Sequence, residues 1–335
     1  MITGRAGFIP SWRTAPSDMA RILITGAHGF IGKHLARHLA TQGHLVSGLG
    51  HGIWPPIEAS RWGVQEWLNG DVQATNLRSL QARCEPEVVF HLAGGSTVGA
   101  AIANPREDFF RTVASTVELL EWMRLDVPRA RLIAVSSAAV YGSGFSGPIA
   151  EDALGVPYSP YGHHKRMMEL LCRSYGDTYG LDFRVARLFS VYGPELKKQL
   201  LWDICTRLAA GESTLMLGGT GQELRDWTHV SDVVTALAQI AFDGDPVQRG
   251  QTVNIGTGVG TPVHAIAQTL IDAWHVRAGV ANKPSLQFSG QSRPGDPFSL
   301  VADPSRLSRL GFARGMPLAE GVGSFVDWFH QSTAR

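Results

Sequence analysis

Two hydrophobic patterns alternate along most of this chain. Short runs of β-branched and other apolar residues predict buried strands, and longer stretches with apolar residues at every third or fourth position predict helices. The first strand, Arg21–Thr25, leads into a helix that carries Leu35, Ala36 and Leu39. Further strands are predicted at 45–49, 64–68, 87–92, 131–136 and 183–188, with prominent helices at about 104–124 and from Pro160 onward. This order predicts a doubly wound, parallel α/β sheet.

The regular alternation ends near residue 190. Shorter elements follow: helices at 199–209 and 231–241, a strand at 251–255, a helix opening at Thr261-Pro262, and helices near 303 and at 317–329. We therefore expect the main sheet in residues 19–190 and a smaller α/β lobe in 191–335 that partly threads back onto the sheet. Residues 1–18 are interpreted as a disordered extension, because their partial copy of a later glycine motif fails at Pro10.

Composition excludes several classes of protein. Of 335 residues, 44% are hydrophobic and 18% are charged, and the net charge is +1. These values are typical of a soluble domain, and the absence of a basic run argues against nucleic acid as a partner. No apolar stretch is long enough to predict a membrane span. The three cysteines, Cys84, Cys172 and Cys205, are widely spaced, which favours reduced thiols and a cytoplasmic location.

A glycine-rich turn follows the first strand directly. Gly26, Gly29 and Gly32 are spaced three apart at the start of the first helix. Glycines in such a turn let backbone N–H groups approach a pyrophosphate that lies on the helix N-terminus. A P-loop is excluded, since Ala27 stands where its first glycine is required and His34 replaces its Ser or Thr.

Tyr161 and Lys165 are four residues apart on a predicted helix, so their side chains share one face. A free tyrosine is a poor base near neutral pH, and a neighbouring ammonium group favours the phenolate. The pair can then exchange a proton with an alcohol or carbonyl if another group carries the hydride. A surface tyrosine beside a solvated lysine is the alternative for this motif taken alone.

The ligand crevice of a doubly wound sheet lies at the carboxyl ends of its strands. Gly26, Ala93, Ser137 and Ser190 each follow a predicted strand. We expect these four positions to converge on one site.

Six motifs then occur in an order that resembles a known family. They are Thr25-Gly26-x-x-Gly29-x-x-Gly32, His91-Leu92-Ala93-Gly94, the run from Ser136 to Gly142, Tyr161-x-x-x-Lys165, the run from Arg187 to Pro194, and the run from Arg225 to Asp232. Together they resemble the extended short-chain dehydrogenases/reductases that act on nucleotide-activated sugars, the NAD(P)-dependent epimerase/dehydratase group. The resemblance covers roughly residues 20–330. It implies a Rossmann NAD(P)-binding domain over 19–190 and a lobe over 191–335 that mainly binds the nucleotide sugar.

The resemblance also implies roles for individual residues. Ser137 would hydrogen-bond the reacting sugar oxygen, Tyr161 would be the general acid/base, and Lys165 would lower its pKa and hold the nicotinamide ribose. The implied cofactor contacts, besides Tyr161 and Lys165, are Gly26, His28, Gly29, Phe30, Ile31, Gly32, Gly50, His51, Asp71, Val72, Leu92, Ala93 and Gly94, with Asp71 accepting from the adenine amine. The implied substrate contacts, besides Ser137, are Ser190, Arg225, Arg293 and Asp296, with the two arginines on the diphosphate. Lys198, just past Gly193-Pro194, is a further candidate contact with the nucleotide.

Two departures from the family pattern bear on the reaction. Ala138 and Ala139 stand where the dehydratases carry Asp and Glu, so dehydration is not expected. The loop after the second strand holds His51 and no carboxylate for the adenosine ribose, so NADP(H) is favoured over NAD(H). Because a reductase consumes NADPH, we expect a 4-keto-sugar reductase, with an NAD-dependent nucleotide-sugar 4-epimerase using the same Ser, Tyr and Lys as the alternative.

Three further expectations complete the sequence-based hypothesis. A sensor that binds NADP(H) without turnover is a remote alternative, since both Tyr161 and Lys165 are present. A metal site is not expected, because His34 and His38 lack a third ligand. The family resemblance implies a homodimer in which the helix near 104–124 and the Tyr161 helix form a four-helix bundle.

Overall fold

The computed structural model of the protein describes residues 19–242, 249–278, 282–291 and 296–333. Its strands are β1 (Arg21–Thr25), β2 (Leu45–Gly50), β3 (Val64–Asn69), β4 (Val88–His91), β5 (Arg131–Ser137), β6 (Pro148–Ile149), β7 (Phe183–Leu188), β8 (Ser190–Tyr192), β9 (Thr214–Leu217), β10 (Leu224–His229), β11 (Thr252–Ile255), β12 (Gly260–Pro262), β13 (Ser285–Phe288) and β14 (Ser299–Ala302).

Its α-helices are α1 (Phe30–Thr41), α2 (Pro56–Arg61), α3 (Ala74–Gln81), α4 (Val98–Ala103), α5 (Pro105–Phe109), α6 (Ser115–Asp126), α7 (Pro160–Tyr179), α8 (Gln199–Ala209), α9 (Val230–Phe242), α10 (Val263–Ala278), α11 (Ser305–Ser308) and α12 (Leu318–Thr333). A π-helical segment, Phe110–Ala114, joins α5 to α6, and a 3₁₀ turn, Ala138–Tyr141, follows β5.

Seven parallel strands form the main sheet in the order β11-β7-β5-β4-β1-β2-β3. The sheet is covered on both faces, as its continuous apolar strands require. One face packs on α1 and α9 through residues such as Leu35 and Leu237. The other face packs on α3, α6 and α7 through residues such as Leu77, Leu120 and Met168. The predicted doubly wound fold is confirmed.

A second group of elements lies beyond β7. Helices α8, α10 and α12 share a hydrophobic cluster that includes Ile204, Leu270 and Phe325. A smaller sheet has the order β12-β10-β14-β6, with β8 paired to β10, and β9 pairs with β13. Two elements of this C-terminal region pack with the first domain instead. Strand β11 joins the main sheet by pairing with β7, and helix α9 packs against α1.

Local predictions differ from the structure in several places. The helix expected at about 104–124 is present from Pro105 to Asp126, with Asn104 capping its start, but the π-helical segment Phe110–Ala114 divides it into α5 and α6. The helix expected from Ser231 begins one residue earlier, directly after β10. Thr261 and Pro262 end β12 and do not begin α10. Helices α2 and α3 and the short strands β6, β9, β13 and β14 were not predicted.

Across the residues that the structure describes, no helix is both long and apolar enough to cross a membrane. Cys84, Cys172 and Cys205 are free thiols, and the last two are buried.

Candidate active site

A cleft of about 2120 Å³ opens at the carboxyl ends of the main-sheet strands. Gly26, Ala93, Ser137 and Ser190 all line it. The predicted convergence of these positions is therefore confirmed. The cleft extends from the glycine turn across to residues of the smaller sheet such as Arg225.

The glycine turn is built so that side chains cannot be accommodated. Gly26 adopts φ 76°, and a Cβ there would lie 2.9 Å from the backbone nitrogen of Ala93. A Cβ at Gly32 would lie 2.2 Å from the carbonyl oxygen of Gly26. Gly29 caps α1 and donates its N–H to Gly26 O at 2.9 Å. The N-terminus of α1 consequently faces the cleft without side-chain obstruction, which fits a dinucleotide pyrophosphate.

Most residues expected to contact a dinucleotide lie along this cleft. Those that line it are Gly26, Gly29, Phe30, Ile31, Gly32, Gly50, His51, Asp71, Val72, Leu92, Ala93, Gly94, Tyr161 and Lys165. His28 is the exception, because its ring stacks on Trp54 at 4.6 Å and its Nδ1 lies 3.2 Å from His51 O. The side chain of His28 thus packs against Trp54 and the loop after β2 and does not line the cleft.

Helix α7 begins in a way that fixes Tyr161 at the cleft. Ser159 caps the helix by accepting from Gly162 N at 3.2 Å, and Pro160 follows at the first helical position. Gly162 permits close contact with the 3₁₀ turn, since a Cβ there would lie 2.5 Å from Ala139 O. The start of α7 therefore packs directly against the segment that carries Ser137.

Ser137 and Tyr161 both line the cleft. The expectation that the pKa of Tyr161 is lowered was wrong. Burial raises the pKa of Tyr161, the nearby Ser137 hydroxyl opposes this rise, and the negative charge of Asp108 adds to it. Desolvation outweighs the stabilisation of the phenolate, so the phenol holds its proton near neutral pH.

Lys165 lies 4% exposed beside Tyr161, and its Nζ donates to Val135 O at 3.0 Å. Burial lowers the pKa of Lys165 to about 8, against the opposing charges of Asp108 and Glu169. A Cβ on Gly94 would lie 3.3 Å from Nζ, so the ammonium group is close to the loop that follows β4. The lysine can therefore reach a ligand held by that loop.

A network of hydrogen bonds connects the end of β5, next to Ser137, to helix α7. Arg187 binds both carboxylate oxygens of Glu169, at 2.9 and 2.7 Å, and donates to the Tyr141 hydroxyl at 2.9 Å. Glu169 also accepts from Ser136 Oγ at 2.5 Å. Because Ser136 precedes Ser137 on β5, this network fixes the strand end relative to α7.

His51 and Asp71 meet at the far end of the cleft. His51 Nε2 lies 3.0 Å from Asp71 Oδ1, and both side chains are well exposed. Asp71 follows β3, whereas His51 follows β2. A carboxylate is therefore present beside the loop after β2, although the loop itself contains none.

Four of the predicted substrate contacts other than Ser137 line the opposite part of the cleft: Ser190, Lys198, Arg225 and Asp296. Arg293 lies outside the described residues. Burial lowers the pKa of both Lys198 and Arg225. Tyr158, which sequence reasoning missed, lines the same wall, where burial and the negative charge of Asp296 raise its pKa. Its position three residues before Tyr161, in the loop leading into α7, was the available signal.

The backbone next to Lys198 has unusual torsion angles. Glu195 and Gln199 are the two described non-glycine residues with positive φ, at 76° and 68°. Glu195 is held by Lys33 Nζ at 2.6 Å and by Trp328 Nε1 at 2.9 Å. Such strained positions concentrate at functional sites, and here they position Lys198 at the cleft.

Within the described ranges, no three His, Cys, Asp or Glu side chains are arranged to hold a metal ion. His34 Nε2 lies 3.0 Å from Pro194 O, and His38 contacts Gln42. Each of these histidines thus has a local structural partner.

The seven-stranded parallel sheet, the glycine turn and the Ser137, Tyr161 and Lys165 group on one cleft define an extended short-chain dehydrogenase/reductase. A sequence model of the NAD dependent epimerase/dehydratase family matches residues 22–256. The chain belongs to this family.

Curated relatives and solved structures agree with this membership. A UDP-glucose 4-epimerase of Mycolicibacterium smegmatis is 30% identical, with 93% of this chain and 99% of the relative covered. The structure of a UDP-glucuronic acid 4-epimerase from Bacillus cereus, in complex with UDP-glucuronic acid and NAD, has a TM-score of 0.81 at 26% identity, with 93% and 99% coverage. A dTDP-glucose 4,6-dehydratase from Streptomyces venezuelae has a TM-score of 0.82 at 28% identity, with 94% and 98% coverage.

Proposed function

We propose that this protein is an NAD-dependent 4-epimerase of a UDP-sugar of the glucose or glucuronate type. The observation that carries the proposal is the placement of Ser137, Tyr161 and Lys165 together on one cleft that begins at an open helix N-terminus. Relatives named as UDP-glucose and UDP-glucuronate 4-epimerases, aligned over nearly the whole chain, support the 4-epimerase over the 4-keto-sugar reductase that the sequence favoured.

The residues flanking Ser137 argue against dehydration. Ala138 and Ala139 line the cleft with methyl groups, so neither can remove a proton or protonate a leaving hydroxyl. The similarity to a dehydratase structure therefore reflects the shared fold and not its chemistry. An acid/base couple without a second acid suits a reaction that only moves one proton and one hydride.

We propose NAD(H) as the cofactor, in place of the NADP(H) expected from His51. The carboxylate of Asp71, 3.0 Å from the imidazole of His51, places negative charge where an additional 2′-phosphate would lie. That charge repels a phosphate and can accept from ribose hydroxyls or the adenine amine. Two solved neighbours with NAD bound, the Bacillus cereus enzyme and MoeE5, support this choice.

When bound, the dinucleotide supplies a hydride acceptor, and then a donor, at C4 of the sugar. Tyr161 removes the C4 hydroxyl proton and later returns it, while Ser137 holds the same oxygen through a hydrogen bond. Lys165 would hold the nicotinamide ribose, and its positive charge would favour the phenolate of Tyr161.

The wall formed by the smaller sheet would hold the diphosphate. Arg225 offers a fork of donors and Lys198 a point charge, both partly desolvated and facing the cleft. Asp296 and Tyr158 lie beside Arg225, which keeps the guanidinium oriented in the absence of phosphate. Ser190 can donate one hydrogen bond to the same group.

We also propose a homodimer built on α7 and on the helical stretch from the π-helical segment through α6. Phe110 (52% exposed), Met167 (43%) and Leu170 (60%) are exposed apolar side chains on these segments. Exposed apolar patches mark interaction sites. A second copy of the chain would bury it in a four-helix bundle.

The reaction assay uses the purified protein with no added cofactor. UDP-glucose and UDP-glucuronate are each supplied, and the C4 epimer is measured by chromatography and NMR. Conversion by the NAD carried through purification is the expected result, because the hydride returns to the sugar. Turnover that requires stoichiometric NADPH and a 4-keto sugar would instead establish the reductase.

A further inference from the structure

His164, the residue before Lys165, contacts the buried carboxylate of Asp108. The reaction steps proposed above do not use this contact. His164 Nδ1 lies 2.6 Å from Asp108 Oδ2, with the side chains 11% and 5% exposed. His164 is on α7 and Asp108 on the short helix α5, so the contact joins the two helices. The ring of Phe109 packs edge-on against the imidazole at 5.6 Å. Since an ionised carboxylate has no proton, His164 Nδ1–H is the donor.

Lys165 and Asp108 lie next to two consecutive glycines, Gly94 and Gly95, of the loop that follows β4. A Cβ on Gly95 would collide with Asp108 Oδ1, and a Cβ on Gly94 would lie 3.3 Å from Lys165 Nζ. Both glycines line the cleft. Asp108 is therefore close enough for its charge to act on Lys165, and its Coulomb interaction opposes the desolvation of the ammonium group.

Other charged or titratable groups also face Lys165. On α7 these are Tyr161, Glu169 and Cys172, and from β4 comes His91. Burial lowers the pKa of His91 to about 3 and raises that of Cys172 to about 12, so both are neutral near pH 7. Glu169 is paired with Arg187 through two hydrogen bonds, and its charge opposes the desolvation of Lys165 less than that of Asp108 does. Asp108 differs from Glu169 because its partner is an imidazole, a much weaker source of positive charge than guanidinium.

We propose that Asp108, held in place by His164, is a positioning residue that supplies the counter-charge keeping Lys165 protonated during turnover. This inference rests on the proposed roles of Tyr161 and Lys165. The carboxylate acts through the lysine and contacts neither sugar nor nicotinamide. His164 acts one step further back, by holding the carboxylate in place through Nδ1.

The first test is the pH profile of kcat for epimerisation. Asp108→Asn keeps an oxygen that can accept from His164 but removes the charge. The alkaline limb, where Lys165 loses its proton, should then move to lower pH by about one unit. A merely structural role would lower kcat at every pH and leave the limb in place.

Two substitutions of His164 separate the hydrogen bond from bulk packing. In His164→Asn, the amide nitrogen can replace Nδ1 as donor, so the alkaline limb should stay at its wild-type position. In His164→Leu, the Asp108 carboxylate loses the donor that holds it in place, so the limb should shift to lower pH as in Asp108→Asn. An unshifted limb in both Asp108→Asn and His164→Leu would overturn the proposal. If Asp108→Asn does not fold, the comparison of His164→Asn with His164→Leu tests the proposal, and an unshifted limb in His164→Leu would overturn it.

The second test does not depend on activity. The pKa of Lys165 is lowered to about 8 in the folded protein from 10.5, so the unfolded chain binds more protons between these values and stability rises with pH there. In Asp108→Asn this rise should begin at lower pH, measured by thermal unfolding. The difference between Asp108→Asn and wild type should lose its pH dependence in a Lys165→Met background. A pH dependence that persists without Lys165 would refute the proposal, whatever sugar the enzyme uses.

Discussion

Replacing Gly32 by alanine is a sharp test of the glycine turn. Gly32 lies in the first turn of α1, where alanine would ordinarily be favoured by about 1 kcal/mol. The added Cβ, however, would lie 2.2 Å from Gly26 O, 2.8 Å from Ala27 Cα and 2.9 Å from Ala27 O. All three are backbone atoms and cannot rotate away.

The magnitude follows from that geometry. Ordinary contact begins near 3.4 Å, so the turn and the helix must separate by about 1.2 Å. Overpacking of this kind costs about 1–3 kcal/mol, which outweighs the gain in helix propensity. The same shift withdraws α1 N–H groups from the pyrophosphate. Loss of one charge-assisted hydrogen bond, worth about 1.5–3 kcal/mol, lowers NAD affinity by about tenfold or more.

The assay combines urea unfolding with calorimetric NAD titration of protein stripped of nucleotide. Gly99→Ala is the matched control, because Gly99 is exposed in α4 and a Cβ there meets nothing within 4 Å. We expect Gly99→Ala to be as stable as wild type or slightly more so, with unchanged NAD affinity. If Gly32→Ala behaved like this control, the assignment of the turn as the pyrophosphate site would be refuted.

Four further predictions concern the Tyr161–Lys165 couple, the diphosphate wall and the proposed dimer. Tyr161→Phe should lower kcat by about 10²–10⁴-fold while the NAD content of the purified protein stays unchanged. Because burial lowers the pKa of Lys165 to about 8, turnover of the wild-type protein should fall as pH rises through that value. Arg225→Lys should raise KM for the nucleotide sugar by about tenfold, since a point charge replaces a forked donor, with a smaller effect on kcat. Leu170→Glu should convert the dimer into monomers in sedimentation equilibrium.

Two of these variants, Tyr161→Phe and Leu170→Glu, have a matched control on the same molecule. Tyr179→Phe alters an exposed tyrosine at the far end of α7 and should keep full activity. Ile57→Glu places the same charge on an exposed apolar site of α2 and should remain dimeric. Full turnover in Tyr161→Phe, or a Leu170→Glu protein that remains dimeric, would contradict the corresponding proposal.

The main sheet and the glycine turn could be predicted because their signals are local. Strand Arg21–Thr25 and the glycines that follow it lie within a dozen residues, and each glycine is required by backbone contacts inside the same turn. The position of Ser137 at a strand end followed from the same alternation. These predictions needed only the order of strands and helices.

The electrostatics of the site could not be predicted in this way. Spacing placed Lys165 beside Tyr161 but carried no information on desolvation, which raises the pKa of the phenol. The preference for NADP(H) relied on the loop around His51, whereas its carboxylate partner Asp71 comes from the end of another strand. Asp108 and His164 are 56 residues apart and belong to no shared pattern, so only the packing of α5 on α7 revealed them.

The central claim is that one proton-transfer couple and one bound NAD remove and return the same hydrogen at C4. The most direct measurement follows a UDP-sugar carrying deuterium at C4, incubated with the protein and no added cofactor, by mass spectrometry and NMR. The account predicts a C4 epimer that retains its deuterium at C4, with no deuterium released to solvent. An epimer in which solvent hydrogen has replaced the deuterium at C4 would contradict it.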